Sequence, residues 1–142
     1  TIQAQILSLL LELQQDLGMA MILISHDMGV VSQMSDRIAV MYAGEIMETG
    51  ETEDLLHLPR HPYTSSLIRC MPALQSNKKG KLETIPGSIP DLINRPAGCS
   101  FHDRCSHSTA LCNQLDPDWN SSHRPGHQFK CHHPIESAVG VR

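Results

Sequence analysis

Aromatic side chains are scarce: Phe, Trp and Tyr make up only 4% of the 142 residues. Leu, Ile, Val and Met must therefore fill whatever core the chain builds. Basic residues do not dominate either. Eleven Lys and Arg stand against fifteen Asp and Glu, a formal charge of −4, and they form no stripe. Nucleic-acid binders carry such a stripe to meet the phosphate backbone, so that class is set aside. Long apolar runs are missing too. Charges interrupt them within about ten residues, short of the roughly 20 that a bilayer-spanning helix requires. No basic segment followed by an apolar one opens the chain, so nothing argues for secretion. There is also no Gly-x-x-x-x-Gly-Lys-Ser/Thr loop. Without that cradle for phosphates, the chain by itself is not expected to bind or hydrolyse ATP.

What remains is enough for one ordinary domain or two small ones. The chain starts at Thr1 and runs straight into a helical pattern, which reads as a cut inside a domain. Residues 1–74 read as α/β. Ile2, Ile6, Leu9, Leu10, Leu13 and Leu17 recur at helical spacing, and Gly18 follows as a stop. Residues Met19 to Ile24 form a short apolar run suited to a buried strand, parallel and covered on both faces. A helix follows, with Val30, Val31 and Met34 on its apolar face. Arg37–Tyr42 and Glu45–Thr49 read as strands joined by an Ala43-Gly44 hairpin turn. A short helix is expected around Thr52–His57 and another from Pro62 to about Cys70.

Residues 75–81 are polar and basic without periodicity and read as a linker. Residues 82–134 differ in kind. They hold six of the nine prolines, four of the five cysteines and six of the nine histidines, with almost no apolar periodicity. A segment so poor in core residues usually needs a disulfide or metal staple. Residues 135–142 read as a frayed tail, and no internal repeat is present.

Two groups of residues carry possible chemistry. His26, in Leu23-Ile24-Ser25-His26-Asp27, stands where a strand would hand over to a helix. Open α/β sheets bind ligands at such carboxyl ends, and an imidazole N–H there can reach a phosphate oxygen or an attacking water. A single histidine at a strand end is more commonly a structural residue. The second group is Cys99-x5-Cys105-x6-Cys112-x18-Cys131. Disulfides would require an oxidising compartment. Zinc accepts four thiolates but favours tighter pairs, and the histidines nearby keep a mixed Cys/His site open. Iron–sulfur clusters tolerate wider loops. The spacing favours a metal or cluster over disulfides or bare thiols. Cys70 reads as a small core residue, and Arg95, Arg104 and Arg124 as exposed arginines.

Taken in order, Thr1 to Ile6, Leu23 to Asp27, Asp36 to Ile46 and Glu48 to Gly50 closely resemble the end of an ABC transporter ATPase domain. His61-Pro62-Tyr63-Thr64 with Leu67 and Pro72, then Pro86-Gly87-Ser88-Ile89-Pro90, resemble its dipeptide/oligopeptide branch with a C-terminal extension. Physically, His61-Pro62-Tyr63 reads as the start of a helix, and nothing marks these residues for chemistry. The resemblance covers nearly all of residues 1–134. It implies the C-terminal portion of a P-loop, ABC-type nucleotide-binding domain, followed by a small, irregular extension stapled by a metal or cluster. His26 would be the switch histidine that contacts the γ-phosphate of ATP, with Mg supplied in the full-length subunit. The Leu-Ser-Gly-Gly-Gln-like segment and the strand ending in Asp-Glu, which precede this region in the family, are not in these residues. Gly98-Cys99-x-Phe101-x-x-Arg104-Cys105, Cys112 and Lys130-Cys131-His132 resemble the family's extension. That likeness implies a [4Fe–4S] cluster on Cys99, Cys105, Cys112 and Cys131, with zinc on the same four as the alternative. Ser106 stands where the family commonly has Pro, which changes the loop and not the thiolate. The implied partners are a paralogous ATPase subunit, two transmembrane permeases and an external peptide-binding protein, with no nucleic acid. The implied location is the cytoplasmic face of the inner membrane, held there indirectly through the permeases. The competing reading is a free-standing iron–sulfur or zinc module without ATPase activity.

Overall fold

A computed structural model describes residues 2–71 and 84–136. The expected linker at 75–81 and residues 137–142 of the expected tail lie outside them. Helix α1 (Ile2–Leu17) ends where the pattern places its stop. Gly18 has φ 61°, its N–H donates to the Gln15 carbonyl, and the Met19 N–H donates to the Gln14 carbonyl. This paired closure of the last turn needs a left-handed residue, which Gly supplies at no steric cost. Helix α2 (Met28–Met34) begins at Asp27, whose carboxylate accepts from the Gly29 and Val30 N–H groups at 2.8 and 3.2 Å. That satisfies two of the amides a helix start leaves unbonded.

The expected buried strand at 19–24 is not formed. The segment pairs with no strand among the described residues, and Ile22 and Ile24 are 91% and 93% exposed. A parallel strand needs ladder partners at its edges and layers on both faces, and no described residue supplies them. For the same reason Ile2, Ile6, Leu9, Leu13 and Leu17 of α1 stay exposed, although the helix itself forms.

The paired sheet begins at Arg37. Strands β1 (Arg37–Tyr42) and β2 (Glu45–Glu51) pair antiparallel across Ala43-Gly44. Both turn residues have positive φ, 48° and 80°. That is the tight turn whose twist matches a hairpin. Ile38, Val40 and Tyr42 alternate inward along β1. Helix α3 (Thr52–His57) follows directly, then α4 (Pro62–Arg69). His61 caps α4 and Pro62 sits in its first turn, where its missing N–H costs nothing.

The extension completes the sheet. Strand β3 (Trp119–Ser121) pairs with β4 (Gln128–Lys130), and β4 pairs with β2. The order is β1-β2-β4-β3, antiparallel throughout. The segment that looked core-poor shares the core of the hairpin. Tyr42 and Met47 pack with Cys99, Phe101 and Cys112, while Ile38, Val40 and Leu55 form a second cluster. Phe101 meets the rings of Tyr42 and Tyr63 at 5.2 and 5.1 Å. Among the described residues no helix is long and apolar enough to cross a membrane.

Phe101→Ala removes the ring that joins the hairpin, α4 and the cysteine loop. We expect a loss of about 3 kcal/mol or more in urea denaturation, the usual cost of emptying a buried Phe site. A loss below about 1 kcal/mol would show that hairpin and extension do not share one core.

Candidate metal centre

The four cysteines of the extension come together. Cys99, Cys105, Cys112 and Cys131 all line one pocket, with His61 beside them. A short 3-10 turn (His102–Arg104) separates the first two, and a second (Ala110–Asn113) carries Cys112. The loops are tied directly, because the Cys99 N–H donates to the Cys112 carbonyl at 2.9 Å. Gly98 permits that approach. Its φ is 73°, and a Cβ there would lie 2.3 Å from the Cys112 carbonyl oxygen. Cys131 arrives from the end of β4.

The sulfurs are set up as acceptors. The Cys99 sulfur takes the Phe101 N–H, Cys105 takes that of His107 at 3.4 Å, and Cys131 takes that of His133. Each donor lies two residues after its cysteine. The Cys112 sulfur lies 3.7 Å from the Thr109 hydroxyl. Such donors favour a thiolate over a thiol. Burial opposes them and prevails. It pushes the Cys99 thiol up to about 11, with Cys105, Cys112 and Asp116 adding repulsion. It pushes Cys131 up to about 12, with the other three cysteines adding theirs, and it raises Cys105 as well. Four mutually repelling sulfurs in one apolar pocket need positive charge among them to ionise.

Among the described residues none of these cysteines forms a disulfide. Nor, among them, do three Cys, His, Asp or Glu side chains close together as ligands of a single metal ion. His102 is committed elsewhere: Nδ1 donates to the Cys99 carbonyl at 2.7 Å and Nε2 lies 3.0 Å from Asp103. His132 and His133 turn Nε2 to the Leu115 carbonyl and the Thr109 hydroxyl.

The three arginines have partners of their own. Arg104 donates to the Pro86 and Ile85 carbonyls and to the Tyr42 hydroxyl. Arg95 pairs with Glu45 and Arg124 with Asp54. They tie the extension to the hairpin and α3. Cys70, expected in the core, is half-buried after α4. His26 is exposed in the turn before α2 and does not line the cysteine pocket.

The burial and mutual pairing of three polar residues are not legible in the sequence. Glu48, on β2, is fully buried and accepts from the Arg60 and His61 main-chain N–H groups at 2.6 and 3.0 Å, and from His127 Nε2 at 2.7 Å. His61 and His127 are each 1% exposed. The only available signal was the inward parity of Glu48 on a strand, which a charged residue normally avoids.

With this geometry in view, likeness to known proteins becomes informative. The family described as the C-terminal region of oligopeptide/dipeptide transporters matches residues 47–112. The chain is 44% identical over 138 residues to the dipeptide transport ATP-binding protein DppD of Escherichia coli (strain K12), covering 97% of this chain and 42% of that protein. Identity to the DppD of Haemophilus influenzae is 43% over 135 residues, covering 95% and 40%. The oligopeptide transport ATP-binding protein OppD of Salmonella typhimurium is 41% identical over 139 residues, covering 98% and 41%. The chain is a homologue of the C-terminal part of peptide-transport ATP-binding proteins. It spans about two fifths of the length of these relatives. The matched region begins inside β2 and ends at Cys112, so it crosses from the hairpin into the cysteine loops.

Burial holds the His61 ring down to about 4, against the upward pull of the Glu48 carboxylate. Unfolded, the ring takes a proton near 6.5; folded, it resists until about 4. Between these values the unfolded chain binds more protons, so stability falls as pH drops from 6.5 towards 4. The full gap is on the order of 3 kcal/mol. His61→Asn is expected to flatten this part of the curve of unfolding free energy against pH. An unchanged slope would show that the ring is not buried neutral.

Proposed function

We propose that the chain is the C-terminal part of the ATP-binding subunit of an ABC transporter that imports dipeptides or oligopeptides. The observation that carries this reading is identity above 40% along nearly the whole chain to dipeptide and oligopeptide transport ATP-binding proteins. In the whole subunit, ATP with Mg would be held by elements outside these residues. His26 would present its imidazole to the γ-phosphate. Its exposure before α2 leaves it accessible to a ligand or a facing subunit. The partners in this reading are a paralogous ATPase, two permeases and an external peptide-binding protein. The subunit would sit on the cytoplasmic face of the inner membrane, attached through the permeases.

The extension would hold a [4Fe–4S] cluster on Cys99, Cys105, Cys112 and Cys131. Four thiols line one pocket, and three of them take the N–H of the second residue onward. The wide cysteine spacing in the sequence favours a cluster over zinc, which prefers tighter pairs. The cluster supplies the positive charge that buried thiolates need. Its role is structural, fixing loops that pack directly on Tyr42 and Met47. A free-standing metal module accounts for the cysteines but not for likeness that extends over 97% of the chain.

Two measurements test this. In the whole ATP-binding subunit, His26→Ala is expected to lower ATP turnover by about 100-fold or more, the scale on which lost transition-state donors act. Undiminished turnover would remove His26 from the site. Anaerobic reconstitution with iron and sulfide is expected to give a coloured protein, and Cys→Ser at any of the four positions a bleached one. A colourless, iron-free chain would overturn the cluster, and one zinc taken up in its place would establish the alternative.

A further inference from the structure

His61 lines the pocket of the four cysteines and is committed to the fold from several sides. Its main-chain N–H donates to Glu48, and its ring stands 6.0 Å from the Phe101 ring. The Tyr63 main-chain N–H donates to Nδ1 at 3.0 Å, which caps α4. An atom that accepts an N–H carries no proton of its own, so the neutral ring carries its proton on Nε2. That N–H is buried and has no partner among the described residues. A buried donor without an acceptor is costly, and such groups in native folds call for an explanation.

The chemistry of the pocket supplies one. Besides His107 and the three histidines already bonded elsewhere, the side chains lining it that can accept are the four cysteines. His61 cannot itself be a ligand through Nε2. With Nδ1 already accepting, ligation would demand a ring stripped of both protons. We propose that the His61 Nε2–H donates a hydrogen bond to a sulfur of the group held by Cys99, Cys105, Cys112 and Cys131, making His61 a positioning residue of that centre. This rests on the cluster reading above. The side-chain donor adds to the main-chain N–H groups already aimed at Cys99, Cys105 and Cys131. Hydrogen bonds to cluster sulfurs stabilise the more negative, reduced state and raise the reduction potential. They also hold the ligands in place. The helix start that delivers Tyr63 and Pro62 thus fixes the tautomer that faces the sulfurs.

The test uses the full chain reconstituted anaerobically with iron and sulfide. His61→Asn keeps a favoured cap for the Tyr63 N–H but loses the distal donor. His61→Gln keeps a side-chain N–H of longer reach. Against the unmutated chain, His61→Asn is expected to bind the same amount of iron, to have a more negative midpoint potential, and to lose iron to a chelator about 10-fold faster. His61→Gln is expected to lie closer to the unmutated chain in both readouts. Iron bound with potential and retention unchanged in His61→Asn would overturn the donor role and leave the cluster standing. Equal shifts in both variants would reduce His61 to a packing residue and overturn it too. An unmutated chain that takes up no iron would overturn both readings.

Discussion

The arrangement hangs on one buried carboxylate. Glu48 faces inward from β2, fully shielded from water, and would be ruinous there without partners. It has three. Two are successive main-chain N–H groups, Arg60 and His61, where the chain turns from α3 into α4. The third is the His127 ring from the far end of the extension. One side chain therefore fixes the start of α4, the path of the segment leading into β4, and the ring that stands beside the cysteines. Apolar packing could bring these segments together, but it is nondirectional. The carboxylate supplies the register: β4 pairs with β2 at Glu48 and Thr49, directly beside this contact.

Legibility of the sequence followed locality. The hairpin, α3 and α4 were readable because their signals are local: two strand-like runs around Ala43-Gly44, a proline just past α3 and another in the first turn of α4. The cysteine set was readable because its residue type is rare. The strand at 19–24 was misread because an apolar run declares only that a segment wants burial. Whether a sheet receives it depends on other strands, and none among the described residues does. The extension was underestimated for a related reason. Two of its large side chains, Phe101 and Phe129, are buried against residues distant in sequence, which a count of apolar residues within 82–134 does not show. Glu48 and His127 were invisible because their meaning lies in a pairing 79 residues apart.

Within the pocket two effects act against each other. Main-chain N–H groups aimed at sulfur favour the thiolate, while burial and mutual repulsion favour the thiol and carry Cys99 and Cys131 to about 11 and 12. A site evolved only to store reduced thiols has no need of donors aimed at sulfur. A site lacking them would pay more to ionise when metal arrives. Raised thiols therefore coexist with donors aimed at their sulfurs, and a bound cation would resolve the two in favour of the thiolate.

This bears on how the halves of the chain relate. Cys99 and Cys112 lie in the same core cluster as Tyr42 and Met47 of the hairpin. Arg104 reaches from the cysteine loop to the Tyr42 hydroxyl, and Ser100 to Glu45. The loops that hold the cysteines are thus one wall of the hairpin's own core. Anything that orders those loops stabilises the hairpin and the start of α4 by mass action, because it binds the folded state alone. A cluster bound there, as proposed, would be coupled to the hairpin through packing. No signal need pass along the chain for the condition of one to be felt by the other.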